Sequence, residues 1–115
     1  MKKLKSGEAA ENALFQKYRR ESSVRGLAFS LSRTEFGALI HLNCRYCGSE
    51  PKHTFGRKEW NGRIVYNGLD RLDNSKGYTV ENCVPCCFQC NLAKGGMTVA
   101  QFKKWVADVC RNSKT

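Results

Sequence analysis

No apolar run in this 115-residue chain approaches the about 20 residues needed to cross a membrane. The charged start, Met1-Lys2-Lys3-Leu4-Lys5, is followed by no apolar signal-peptide core. A protein that stays in the cytoplasm is therefore expected. Internal repeats and low-complexity tracts are absent, and the length leaves no room for a second domain of any size. Acidic residues are scarce: 10 Asp and Glu stand against 20 Lys and Arg, a formal net charge of +10. Such an excess points to a polyanionic partner, whose binding releases condensed counterions, and nucleic acid is the natural choice. An even cysteine count is also missing. Seven cysteines without an export signal argue against a secreted disulfide scaffold and for metal binding in a reducing compartment. A chain this short buries a limited core, so a metal staple would help it.

Two amphipathic segments precede the cysteines. Glu8 to Arg20 carries Ala10, Ala13, Leu14 and Tyr18 near helical spacing. Leu27 to Leu31 is short and apolar, and reads as extended. Ser32-Arg33-Thr34-Glu35 is a capping box, so a second helix is predicted through Phe36, Leu39 and Ile40. Further on, Asn61-Gly62 lies between Lys58-Glu59-Trp60 and Arg63-Ile64-Val65-Tyr66, a strong hairpin signal. Asn67-Gly68 leads into Leu69 to Leu72, Asn74 to Gly77 reads as a turn, and a strand near Asn82 to Val84 is predicted to pair back onto residues 69–72. A second capping box, Thr98 to Gln101, opens a helix with Phe102, Trp105, Val106 and Val109 on one face, all four expected in the core. Residues 111–115 are expected to fray.

Cys44 and Cys47 form a C-x-x-C pair around a compact knuckle. Two such pairs are the usual layout of a tetrahedral all-cysteine zinc site. On spacing alone the second pair is either Cys83 with Cys86 or Cys87 with Cys90. The gap between the pairs exceeds that of a compact zinc ribbon, so a substructure must be inserted there. Four thiolates leave the ion no open position, which makes the zinc structural.

Residues 69 to 96 contain Leu69-Asp70-Arg71-Leu72-Asp73, then Asn82, then Cys87-Phe88-Gln89-Cys90-Asn91. This stretch resembles the HNH endonuclease motif of the ββα-metal superfamily. In that family an Asp-His pair ends the first strand, an Asn follows near the second, and a C-x-x-C precedes an Asn or His that opens a helix. The resemblance covers roughly residues 44–96. It selects Cys87 and Cys90, with Cys44 and Cys47, as the zinc ligands. The helices before it look like those of small phage and bacterial HNH proteins, which implies a bacterial or phage-infected cell. Carried over position by position, Asp70 and Asn91 would hold a catalytic divalent metal, Mg2+ or Mn2+, for which oxygen ligands are suited. Asn82 would hydrogen-bond the backbone and hold the loop that carries Asp70.

Arg71 stands where most of that family have the histidine base. An arginine stays protonated and serves instead to clamp phosphate. Non-specific DNA/RNA endonucleases of the superfamily carry Asp-Arg-Gly-His, with the last residue as base, which makes Asp73 the first replacement. His53 and His41 follow it. Arg57, Lys58, Arg63, Lys76 and Lys94 are candidate phosphate contacts, and Trp60, Tyr66 and Tyr78 are candidates to stack or pack.

The expected fold is α+β in one domain over residues 1–115. It comprises a helical part over 1–43, a zinc-bound ββα-metal core over 44–96 and a C-terminal helix over 97–110. The expected activity is metal-dependent hydrolysis of phosphodiester bonds in DNA. The rivals are a nuclease-derived, non-catalytic DNA-binding zinc module and a zinc domain for protein interactions. These residues do not distinguish a branched-DNA resolvase, a nicking enzyme and a homing-type nuclease.

Overall fold

The computed structural model describes residues 4–114. Helix α1 (Glu8–Val24) has Glu8 and Glu11 in its first turn, where carboxylates complement the helix dipole, and buries Ala10, Leu14 and Phe15. It runs one turn past the expected stretch. Helix α2 (Arg33–Ile40) begins at the capping box the sequence announced. The Glu35 backbone N–H donates to Ser32 Oγ at 3.0 Å, and the Ser32 N–H donates to Glu35 Oε1 at 2.8 Å. Phe36 of α2 is fully buried, with edge-on contacts to Phe15 at 5.3 Å and Tyr18 at 5.4 Å between ring centroids. The two helices are also joined through Glu11, which meets Arg33 and His41. Burial acts to raise the Glu11 carboxyl, but the hydrogen bonds from His41 and Arg33 outweigh it and hold the group below its ordinary value.

Two antiparallel pairs follow. Strand β1 (His53–Phe55) pairs with β2 (Ile64–Tyr66), and β3 (Gly68–Arg71) pairs with β4 (Cys83–Cys86) in the register Asp70↔Val84. The β3–β4 pairing is the one expected, shifted slightly so that Asn82 lies in the turn before β4. The first hairpin is a correction. Lys58 to Trp60 do not form its outgoing strand; His53 to Phe55 do, and residues 56–63 make a long connection. Trp60 packs against the core instead of pairing. Asn61-Gly62 seats the N-terminal segment: the Gly7 N–H donates to the Asn61 carbonyl at 2.7 Å, and Asn61 Nδ2 donates to the Leu4 carbonyl at 3.1 Å. A Cβ on Gly62, whose φ is 83°, would stand 2.3 Å from Ser6 Oγ.

The stretch before α2 is extended as expected, with Phe29 bridged to Tyr78. The Tyr78 N–H donates to the Ala28 carbonyl at 2.8 Å, and the Ser30 N–H donates to the Tyr78 carbonyl at 2.9 Å. A side chain at Gly77 would collide with the Ala28 carbonyl oxygen at 2.2 Å, so this approach requires glycine. Tyr18 lies across β3: the Leu69 N–H donates to its hydroxyl at 3.2 Å.

Helix α3 (Phe88–Lys94) follows β4 directly, and α4 (Val99–Asn112) starts at the second capping box. Of the four α4 residues expected in the core, only Phe102 is there, at 4% exposure. Trp105, Val106 and Val109 are 46%, 45% and 46% exposed. Phe102 meets the Tyr46 ring edge-on at 5.2 Å. Beyond that first anchor the apolar face of α4 has no comparable cover among the described residues, so periodicity identified the face but not its burial. The fraying expected over 111–115 is not seen at Arg111 and Asn112, which are helical; Thr115 lies outside the described residues. Among the described residues no helix is long and apolar enough to cross a membrane.

Phe36→Ala is expected to cost about 3–5 kcal/mol in urea denaturation, the range for emptying a buried aromatic site. Trp105→Ala should cost less than about 1 kcal/mol, as a change on an exposed surface does. Equal losses would contradict the exposed α4 face.

Candidate metal centre and the Asp70 cleft

The sulfurs of Cys44, Cys47, Cys87 and Cys90 lie within 4.8 Å of one another. Ligands about 2.3 Å from a tetrahedral ion are separated by about 3.8 Å, and Cys47 Sγ lies 3.7 Å from Cys87 Sγ. The four therefore fit a tetrahedral metal such as zinc. The knuckle is held by its own backbone, with the Gly48 N–H donating to the Cys44 carbonyl and the Cys44 N–H to the Ser49 carbonyl, both at 2.9 Å. The Arg45 N–H donates to the Pro85 carbonyl at 2.8 Å, which ties the knuckle to β4. Cys87 caps α3, its Sγ accepting from the Cys90 N–H at 3.4 Å.

Cys47 Sγ lies 3.2 Å from Ser49 Oγ, and hydrogen bonds from the Ser49 hydroxyl and backbone pull the thiol down to about 6. Burial acts to raise Cys44, but backbone N–H groups of Cys47, Cys87 and Tyr46 bring it below its ordinary value. Cys90 is pushed up by burial and by the neighbouring Cys87 and Cys47 sulfurs. A cation among the four sulfurs would favour their thiolate forms. Cys83 and Cys86, the other pair that spacing allowed, sit on β4 outside this cluster and are buried. Burial raises Cys83 to about 11 and Cys86 further, as expected of inert thiols.

Asp70, Arg71, Asn74, Tyr78 and Asn91 line one cleft of about 190 Å³, with Arg25 at the end of α1 beside them. Asp70 is 7% exposed and held at both oxygens. The Tyr46 hydroxyl donates to Oδ2 at 2.6 Å, and Lys94 Nζ lies 3.3 Å from each oxygen. The Lys94 ammonium has no exposed surface. Lys94 is therefore not the surface phosphate contact expected from its charge; it is the buried counter-ion of Asp70. Burial and the bond to Asp70 also raise the Tyr46 phenol, keeping it a donor. Tyr46 and Lys94 are the two site residues that charge and pattern had not singled out for this role.

Arg71 Nη1 donates to the carbonyls of Asn74 and Lys76, each at 2.8 Å, and its guanidinium lies 5.5 Å from the Tyr78 ring centre. Asn82 is 6% exposed and fully used. Its Oδ1 accepts from the Asp73 N–H at 2.9 Å, while Nδ2 donates to the carbonyls of Gly77 at 2.9 Å and Asp73 at 3.1 Å. It thus ties down the loop that follows Asp70.

The candidate bases lie elsewhere. Asp73 Oδ1 accepts from the Ser75 N–H at 2.9 Å and hydroxyl at 2.6 Å, bonds that lower its carboxyl and close an Asx turn. His53 is stacked on Phe88, ring centres 3.7 Å apart, beside Cys47 and Cys87. His41 is engaged with Glu11. None of the three lines the Asp70 cleft. Tyr66 and Tyr78 are buried and pack, whereas Arg57 lies over Trp60 with 5.4 Å to the ring centre. Chemically, the cleft offers a carboxylate and a carboxamide oxygen, donors that suit a hard divalent cation. Each Asp70 oxygen accepts about two bonds, so acceptor capacity remains beyond Tyr46 and Lys94.

No family model matches the chain. It is 38% identical over 89 residues to an uncharacterized protein of Acanthamoeba polyphaga mimivirus, across 75% of this chain. The chain spans 15% of the length of that viral protein, whose source lies outside the phage and bacterial setting expected. Its structure is similar to that of the rare-cutting HNH restriction endonuclease PacI, described for its mechanism of DNA perturbation. The TM-score is 0.62 at 19% identity, covering 88% of this chain and 77% of that one. The β3–β4–α3 unit, with helices before and after it, thus belongs to an HNH-like, nuclease-like α+β fold.

Proposed function

We propose that this chain is a metal-dependent endonuclease that hydrolyses phosphodiester bonds in DNA. The observation that carries this reading is the convergence of Asp70 and Arg71 from β3 with Asn91 from α3 on one cleft. The nuclease-like fold and the net charge of +10 support it. Cys44, Cys47, Cys87 and Cys90 would hold a structural Zn2+ that joins the knuckle to α3. Asp70 and Asn91 would hold Mg2+ or Mn2+, which when bound supplies Lewis-acid stabilisation of charge developing on the phosphate. Arg71 is steadied by two loop carbonyls and positioned to pair with a phosphate oxygen. Tyr46 and Lys94 orient the Asp70 carboxylate, and Asn82 fixes the loop behind it. Among the described residues no histidine or further carboxylate lines the cleft beside Asp70. In this reading the attacking water loses its proton to solvent hydroxide.

One observation favours a second reading. Asp70 is already paired with Lys94, and among the described residues no histidine or second carboxylate lines the cleft. Both features suit a nuclease-derived module that binds DNA without cutting it.

Plasmid cleavage with Mg2+, Mn2+ or EDTA tests the enzyme. Asn91 is exposed, so Asn91→Ala should abolish cleavage while leaving fold and DNA affinity within a few-fold. Asp70→Ala strands the buried Lys94 charge and is expected to lose about 3–5 kcal/mol of stability as well, so it is the less clean variant. Asp73→Asn should stay active. Without a base, the rate should climb about tenfold per pH unit from about pH 6 to about pH 9. A plateau near about 6.5 would instead assign the proton to a histidine. A wild-type protein inert on linear, nicked and branched DNA with every divalent metal would overturn the enzyme reading, and salt-dependent DNA binding by the same protein would then support the binding module.

Metal analysis should find one zinc per chain. Cys44→Ser or Cys87→Ser should unfold or aggregate the protein, whereas Cys110→Ser, on an exposed face of α4, should fold normally. Zinc-free protein that is nonetheless folded would overturn the structural-metal assignment.

A further inference from the structure

Away from the Asp70 cleft, the middle of α1 and the connection after β1 enclose a second cleft, about 460 Å³ in volume. Lys17 and Arg20 come from α1; Phe55, Gly56, Arg57 and Trp60 face them. Lys17 and Arg20 are exposed and lie three residues apart, on the same side of the helix. Arg57 is exposed as well, while Phe55 and Trp60 are half-buried, with ring centres 6.3 Å apart and inclined at 52°. Two of the cations already sit near ring faces: Lys17 Nζ is 6.0 Å from the Phe55 ring centre and Arg57 Cζ 5.4 Å from that of Trp60. Among the described residues no carboxylate lines the cleft.

Three cations with no carboxylate among the lining residues, set around two aromatic rings, define a complementary ligand. It carries repeated negative charge and presents flat, unpaired rings. A paired duplex offers phosphates but keeps its base faces stacked inside. An unpaired strand offers both, and its bases stack on aromatic side chains. We infer that this groove is a docking surface for an unpaired nucleic-acid strand, with phosphates on Lys17, Arg20 and Arg57 and a base against Trp60. The inference rests on the nucleic-acid part of the reading above and not on cleavage. Arg25, on the rim of the Asp70 cleft, follows Lys17 by eight positions, about 12 Å along the axis of α1. That span corresponds to about three to four phosphates at 3.4 Å per nucleotide of a B-form strand, so one strand is long enough to reach both places.

The chain has two tryptophans, so Trp105→Phe leaves Trp60 as the only indole reporter. In that background a short oligo-dT strand should quench Trp60 emission saturably, and a duplex of equal length should quench it far less. Replacing Lys17, Arg20 and Arg57 together by Gln should weaken oligo-dT binding at least about tenfold and flatten its log–log salt slope by about 2, since each phosphate contact on a single strand contributes about 0.7. Trp60→Phe should retain binding, because stacking needs a ring and not an indole N–H. Circular dichroism and zinc content confirm that each variant is folded. Equal quenching by duplex and single strand would overturn the unpaired-strand assignment. An unchanged salt slope in the folded triple variant would overturn the groove as a site altogether. Both readouts hold whether or not the protein cleaves DNA, so failure of the nuclease reading leaves them distinguishable.

Discussion

Asp70 is a carboxylate taken out of water, and the surrounding chain is arranged around the cost of that burial. Its two oxygens draw a hydroxyl from the cysteine knuckle and an ammonium from α3, three segments that are remote in sequence. Tyr46 reaches it only because the knuckle is pinned to β4 by the Arg45 N–H and, on its other side, receives Phe102 from α4. Lys94 reaches it only because α3 starts where β4 stops. The strand that presents Asp70 is fixed from behind by Tyr18 of α1. Removing Lys94 would leave a buried carboxylate without its counter-ion, and so the ion pair specifies the arrangement even if its own net contribution is small.

The sulfur cluster works through the same elements. Cys87 ends the extended stretch, caps α3 and joins Cys47 at 3.7 Å. Its position makes the helix N-terminus and the cluster a single construction. A helix this short has little stability of its own. Its direction is set by the cap at one end and by the Lys94 pair at the other.

Much of this was legible in the sequence because the signals are local. Both capping boxes formed as written, since a serine or threonine three residues before Glu or Gln leaves few other ways to satisfy the first N–H groups. The C-x-x-C spacing announced a metal site but left its second pair open between Cys83 with Cys86 and Cys87 with Cys90. The choice of Cys87 and Cys90, and the role of Asn82, came from the family resemblance and not from local signals. What escaped was the consequence of tertiary placement. Asn61-Gly62 has turn chemistry, but whether a turn closes a hairpin or seats a terminus depends on what Trp60 finds to pack against. The α4 stripe looked like core because periodicity reports a face and not its cover. Lys94 looked like a surface cation because composition says nothing of depth. One signal was available for it: Cys87, Cys90, Asn91 and Lys94 recur at helical spacing, which puts Lys94 on the face that already carried the cluster. Tyr46, by contrast, has only its place inside the knuckle to recommend it.

That shared face has an evolutionary consequence. Two sulfurs, the Asn91 carboxamide and the Lys94 ammonium are phased by the same two turns of helix. A single inserted or deleted residue between Cys87 and Lys94 would rotate everything beyond it by about 100°, separating the sulfur cluster from the carboxylate it serves. By the same geometry a change of length is absorbed more readily in the connections at residues 56–63 and beyond Gly95 than between Cys87 and Lys94.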